Sequence, residues 1–326
     1  MAGSTLLRWI SKDAVAALRE FSSDFDASFA LGPVNVLAKG LGRSVLVNSS
    51  KAIKTTYPIP VSAAGYKERK GDDKMRRLYE KSLDMTTREW QDGVMEKARI
   101  IEAPDFIGWN TEPQRIAEEA LRLPNTLLAE MLAANPVLDF YKDSPHSAKT
   151  LFHASHPCNI FGEISTTFDN DRNTLVGFQA ILRDFMPYFR SIKGPNGKPM
   201  GRRLTDLVVP AALEEVAKDF LESDLMYNAT LDQGANTNAV SNNRYKGAVN
   251  LIVADELSSD TVVYGIDRNG PAFAILQDGG SPEEIVFDKN DEMYKKQGLV
   301  GVNFVLEMAV GAALPHSICR CTYSAT

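Results

Sequence analysis

The stretch GLVGVNFVLEMAV, residues 298–310, constrains the fold more than any other. Val300, Val302, Phe304, Leu306 and Met308 fall at every second position, so they share one face of a long strand. AVNLIVADEL, TVVYGID, PAFAILQD and EEIVFD are further β-rich runs between residue 248 and this strand, separated by Gly, Pro, Asp or Asn. The middle of the chain has a different period. Helices there and strands at the end predict an α+β protein.

The helical segments are specific. In NTEPQRIAEEALRLPNTLLAEMLAANP, Thr111 and Gln114 fit a capping box, and Glu112 lies near the positive helix end. Ile116, Ala120, Leu123, Leu127 and Met131 form an apolar stripe. Pro124 removes one backbone donor and is expected to kink or break the helix near Leu121, and Asn135-Pro136 ends it. A second helix, from about 173 to 190, carries Leu175, Phe178, Ile181, Leu182, Phe185 and Phe189 on one face. Pro210 opens a third, with Leu213, Val216, Ala217, Phe220 and Leu221 inward. A short amphipathic helix near Ser11 turns Val15, Leu18 and Phe21 to one side.

Two segments look outward. GPVNVLAKGLGRSVLVNSS mixes glycine, serine and short apolar runs, and is expected to be an extended arm that needs a neighbour to bury it. YPIPVSAAGYKERKGDDKMRRLYEKS concentrates Lys67, Glu68, Arg69, Lys70, Asp72, Asp73, Lys74, Arg76 and Arg77 around a Gly71-Asp72 turn. Its charges suit either a solvated hairpin tip or a projecting hairpin that meets another subunit. DQGANTNAVSNNRYKG, residues 232–247, is too long for a simple hairpin turn.

The chain has 326 residues, enough for two domains or one elaborate one, with a net charge of −6. That charge gives no global reason to bind DNA or an anionic membrane. The N-terminus lacks the apolar stretch of a secretory leader, and no window approaches a membrane span. Three cysteines cannot all pair within one chain, so a reduced environment is the simplest reading.

Chemistry is sparse. No phosphate-binding glycine loop, nucleophile elbow, H-E-x-x-H or C-x-x-C occurs. His153, His156 and Cys158, with His146 upstream, are the one concentration of metal-ligand residue types, and His316, Cys319 and Cys321 would complete a zinc set only if the fold brought them near. Pro157 argues against one helix carrying the cluster. A Cys–His nucleophilic pair lacks an identifiable third group. The bland reading is a loop whose histidines bond backbone groups. The expectation is no enzyme, no catalytic residue, no cofactor and no metal. Projections that do not pack on their own core point instead to assembly.

One ordered set of segments carries a resemblance. LFHASHPCNIFGE is followed by a helix, then GRRLTDLVVPAALEEVAKDFLES, the Asn-rich loop, GAVNLIVADELSSDTVVYGID and PAFAILQ. In that order, over roughly residues 55–315, they resemble the Mu-like major head subunit family, major capsid proteins of tailed phages and prophages. The resemblance implies the tailed-phage capsid fold of the Hong Kong 97 type, divided as follows. Residues 1–51 are an N-terminal arm and 52–103 an extended loop, a long β-hairpin lying over the next subunit. Residues 104–155 and 283–310 make a peripheral domain whose spine helix starts at Thr111, and 156–282 with 311–326 make an axial domain. The histidine string is then structural, marking the passage between domains.

The implied function is a major capsid protein that self-assembles as hexamers and pentamers into the icosahedral head enclosing phage DNA. The implied partners are further copies of itself, a separate scaffold protein, a portal, a decoration protein, and packaged double-stranded DNA held on the inner face without sequence specificity. No membrane is implied. The implied location is the virion capsid, assembled in the host cytoplasm, without maturation cleavage. Arg69, Lys70, Arg76 and Arg77 are expected to form inter-subunit ion pairs with Glu118 or Glu119. The alternatives are the shell of a cargo-holding nanocompartment and a metal-dependent enzyme using His153 and His156.

Overall fold

In the computed structural model, the long alternating strand is the axis on which the rest is hung. The structure describes residues 13–31, 37, 40–60, 80–103, 111–138, 149–153, 163–168, 175–192, 199–227 and 240–325. The first half runs α1 (Ala14–Leu31), β1 (Val45–Ser49), β2 (Lys54–Pro60), β3 (Glu80–Thr86), β4 (Arg88–Lys97), α2 (Ala98–Ile101) and α3 (Glu112–Ala134). The middle holds β5 (Glu163–Phe168), α4 (Leu175–Ser191), β6 (Asp206–Pro210), α5 (Glu214–Glu222), β7 (Leu225–Tyr227) and β8 (Val240–Asn242). The end holds β9 (Asn250–Ala254), β10 (Val262–Ile266), β11 (Ala274–Asp278), β12 (Glu283–Phe287), α6 (Glu292–Gln297), β13 (Leu299–Ala312) and β14 (Ile318–Ala325).

β13 pairs antiparallel with β4 along one edge, and with β12 and then β11 along the other. β1 adds a parallel strand to β11. The expected inward set, Val300, Val302, Phe304, Leu306 and Met308, is buried throughout. α1 and α3 lie on that face. α1 turns Ala14, Ala17, Leu18, Phe21 and Phe25 to it, a helical stripe at spacings of three and four. Val15, expected with them, is only half-buried. Phe25 stacks on Phe304 with ring centroids 3.7 Å apart. Where β4 meets β13, a Cβ on Gly93 would lie 2.3 Å from the Val302 carbonyl oxygen, and one on Gly301 2.4 Å from that of Val94. Both positions therefore require glycine.

The second sheet runs β5–β14–β10–β6–β9. β6 is buried at all five positions. Leu207 and Val209 face the cluster made by α4 and α5, while Val208 faces a central cluster shared with α3 and β11. That two-sided burial explains why LVVP, which follows Asp206, is a continuous apolar run rather than an alternating one. Cys319 and Cys321, two apart on β14, are both buried against the α4–α5 side. The central cluster, with Leu127, Leu128, Met131 and Leu132 of α3, joins the two sheets.

Three local expectations change. Thr111 is the N-cap of α3 but makes no side-chain cap bond; Gln114 donates instead to Glu118, one turn on, at 2.9 Å. α3 runs unbroken through Pro124, which is buried in the core, so tertiary packing offsets the lost backbone bond. It ends at Asn135, whose left-handed backbone sends its N–H to Met131 as the αL cap requires. The segment expected to need a neighbour buries Leu37, Leu41 and Val45 in this chain's own core.

Candidate assembly surface

β2 and β3 pair with each other over seven positions, from Lys54↔Thr86 to Pro60↔Glu80, and form a two-stranded hairpin off the body. Its root is held from inside. Gln277 is fully buried and donates through Nε2 to the carbonyls of Ala52 at 2.7 Å and Ser50 at 3.2 Å. The Tyr57 hydroxyl accepts from Asn48 Nδ2 at 2.8 Å and donates to Gln277 Oε1 at 3.4 Å. Met85 and Leu83 pack beside Gly311 of β13. The opposite face of the same root is exposed, with Asp84 taking a hydrogen bond from Thr56 at 2.7 Å and pairing with Lys54 at 3.5 Å. The Thr56 bond first, and then Lys54, hold the Asp84 carboxyl below its usual range.

Beyond Pro60 and before Glu80 lie residues 61–79, so Arg69, Lys70, Arg76 and Arg77 fall outside the described residues. Their expected partners are placed: Glu118 and Glu119 are exposed on the first half of α3. Glu119 lines a shallow cleft of about 180 Å³ between α3 and the β4–β13 pair, with Trp90, Asp92, Ala120, Leu123 and Leu306. Trp90 is fixed there by its indole N–H, which donates to the Met308 carbonyl at 3.3 Å. The cleft was not legible beforehand, because its walls come from three segments far apart in sequence.

The histidine string divides. His146, His156 and Cys158 fall outside the described residues. His153 ends a short segment pinned to the end of α3, where the Phe152 N–H donates to Asn135 Oδ1 at 2.8 Å and Asn135 Nδ2 donates to the Phe152 carbonyl at 3.2 Å. Phe152 is buried between the Tyr264 ring, 5.6 Å away, and the Arg320 guanidinium, 5.0 Å above its ring. His316, Cys319 and Cys321 are buried. Among the described residues, no group of three or more His, Cys, Asp or Glu side chains is placed to hold a metal ion.

Burial pushes the Tyr264 hydroxyl up to about 12, against the opposing pull of Arg320. An unfolded tyrosine ionises near pH 10. The folded value is the higher one, so this stability is complete below about pH 10 and is lost as pH rises towards about 12. At about 1.4 kcal/mol per pH unit, it amounts to about 3 kcal/mol. Urea midpoints measured between pH 9 and 11.5 are expected to fall for the wild type and to fall less for Tyr264→Phe. Equal slopes would show that another group governs the alkaline limb.

No family model matches the sequence, and no curated protein matches it. Solved structures do. The capsid of a native GTA particle matches with a TM-score of 0.57 at 8% identity, over 90% of this chain and 92% of that one. The capsid of the cyanophage P-SCSP1u matches at 0.53 and 9% identity, over 88% and 87%. A virus-like particle from Pyrococcus furiosus matches at 0.52 and 11% identity, over 93% and 98%. The chain has the tailed-phage major capsid fold of the Hong Kong 97 type, in an α+β arrangement.

Proposed function

We propose that this chain is a major capsid protein that self-assembles as hexamers and pentamers into an icosahedral head enclosing double-stranded phage DNA. The observation that carries the reading is the hairpin: a two-stranded projection with a rigid root, on a fold shared almost end to end with shell subunits. A two-stranded ribbon is marginal in isolation. A neighbouring copy lying beneath it would supply the missing burial. We divide the chain as the resemblance implies: arm 1–51, extended loop 52–103, peripheral domain 104–155 with 283–310, axial domain 156–282 with 311–326. Scaffold, portal and decoration proteins belong to the same reading, as does assembly in the host cytoplasm. The chain is structural and not an enzyme.

Within a capsomer, Arg69, Lys70, Arg76 and Arg77 of one copy would meet Glu118 or Glu119 of the next. Single exposed pairs contribute little, so the shell relies on their number and on buried area. Negative-stain electron microscopy of the purified chain is expected to show closed shells, rings or tubes. Reversing Arg76 and Arg77 to glutamate together is expected to abolish these while the subunit still melts as the wild type does. Normal particles from the double variant would remove those two arginines from the interface. A monodisperse small oligomer with one bound zinc per chain would overturn the capsid reading itself.

A further inference from the structure

Arginines gather around two buried carboxylates, Asp206 and Asp267, where β10 leaves the second sheet for β11 of the first. Arg268 is spent on Asp206, its Nε donating at 3.2 Å. Asp267 is served by the backbone: the Asn269 N–H donates to Oδ1 at 3.1 Å and the Arg203 N–H to Oδ2 at 3.4 Å. Arg202 stands differently. Its side chain is only 19% exposed, yet its ion-pair contact runs 3.7 Å from Nη1 to Asp267 Oδ2, longer than a hydrogen bond. Its Nε–H is sealed from water and has no acceptor among the described residues. A buried guanidinium with unmet donors is costly, and it marks a place where an ion belongs.

Two more cations flank it. Arg203 follows it in the chain. Arg43 precedes Ser44, whose hydroxyl donates to the Asp267 carbonyl at 2.7 Å. Both side chains are exposed, and neither guanidinium has a partner among the described residues. Arg43, Arg202, Arg203 and Arg268 against Asp206 and Asp267 leave a local surplus of two positive charges. Guanidinium forks match the oxygens of phosphate, and that surplus suits a phosphate better than a single carboxylate. We propose that Arg202, with Arg203 and Arg43, forms a binding site for a phosphate group at the junction of the two sheets. The Nη nitrogens of Arg202 grip the phosphate oxygens, and Asp267, itself held by backbone N–H groups, keeps that guanidinium in place. Free phosphate and the phosphate of a nucleic-acid backbone offer the same chemistry. The site lies within one subunit and goes beyond the capsid reading, which assigns these residues no ligand.

Calorimetric titration of the purified chain with inorganic phosphate, at an ionic strength matched with chloride, tests the site. The Kd is expected to rise at least about tenfold in Arg202→Met, which keeps the stem and removes the fork. It is expected to rise about threefold in Arg203→Gln, whose exposed side chain bears no fold contact and so reads the site even where Arg202→Met does not fold. Lys295→Gln, exposed on α6, is the charge control and is expected to bind as the wild type does. A short DNA duplex separates the sources. Duplex binding that phosphate competes away, and that weakens more in Arg203→Gln than in Lys295→Gln, assigns a nucleic-acid backbone; duplex binding equal in both assigns free phosphate. No phosphate binding by the wild type, equal affinity in the wild type and the arginine variants, or displacement of phosphate by equimolar acetate would overturn the site.

Discussion

Arg268→Ala is expected to destabilise the subunit by about 3 kcal/mol, read as a lowered urea midpoint with an unchanged slope. The cause lies at the start of β6. Asp206 is completely buried in mid-sheet, paired in register with Ile266 of β10 and Asn250 of β9. Its carboxylate accepts from Thr205 Oγ1 at 2.7 Å and from Asn250 Nδ2 at 3.3 Å. Among the described residues, the guanidinium of Arg268, bonded to both carboxylate oxygens, balances the charge. Without it an uncompensated charge stays buried, and that desolvation exceeds the worth of the pair as such. Adding Asp206→Asn to the Arg268→Ala chain should therefore recover part of the loss. A double variant no more stable than Arg268→Ala would place the cost in lost packing of the arginine stem.

Phe304→Ala is expected to cost more, about 3–5 kcal/mol. Phe304 is 4% exposed, and it is the ring on which α1 closes, with Phe25 stacked at 3.7 Å and Phe21 at 6.3 Å. Removing it leaves a void under a helix that no strand bonds hold. Hydrogen exchange should accordingly rise along residues 14–31 before it rises in β4 or β13. Phe304→Leu, which refills most of the volume, should cost about 1–1.5 kcal/mol. Uniform exchange across the whole sheet in Phe304→Ala would show that α1 and the sheet unfold as one unit.

Local periodicity carried most of what could be read in advance. β13 was legible because a strand with one buried face writes its period directly into the chain, and α3 because its stripe and its Asn135-Pro136 stop are local signals. The pairing of β1 with β11 was not, since it joins residues 45–49 to 274–278 and nothing in either segment names the other. Pro124 misled for the same reason: the core that tolerates it is assembled from distant segments. Asp206 was hidden inside an apolar run, where a single carboxylate looks like a strand boundary. Glu118 and Glu119 were named in advance as interchangeable ion-pair partners; only the fold separates them, tying Glu118 to Gln114 and giving Glu119 to the cleft.

The buried amide of Gln277 has a consequence for shape. By gripping the carbonyls of Ser50 and Ala52 and the hydroxyl of Tyr57, it fixes the angle at which the hairpin leaves the body. The hairpin is therefore a lever with its fulcrum inside the protein. A few degrees of play at that root would swing the tip by more than an ångström over its length of about 23 Å. Summed around a closed surface, such errors would decide whether copies meet or miss. In the shell proposed above, the angle held by this one buried glutamine would therefore bear on curvature.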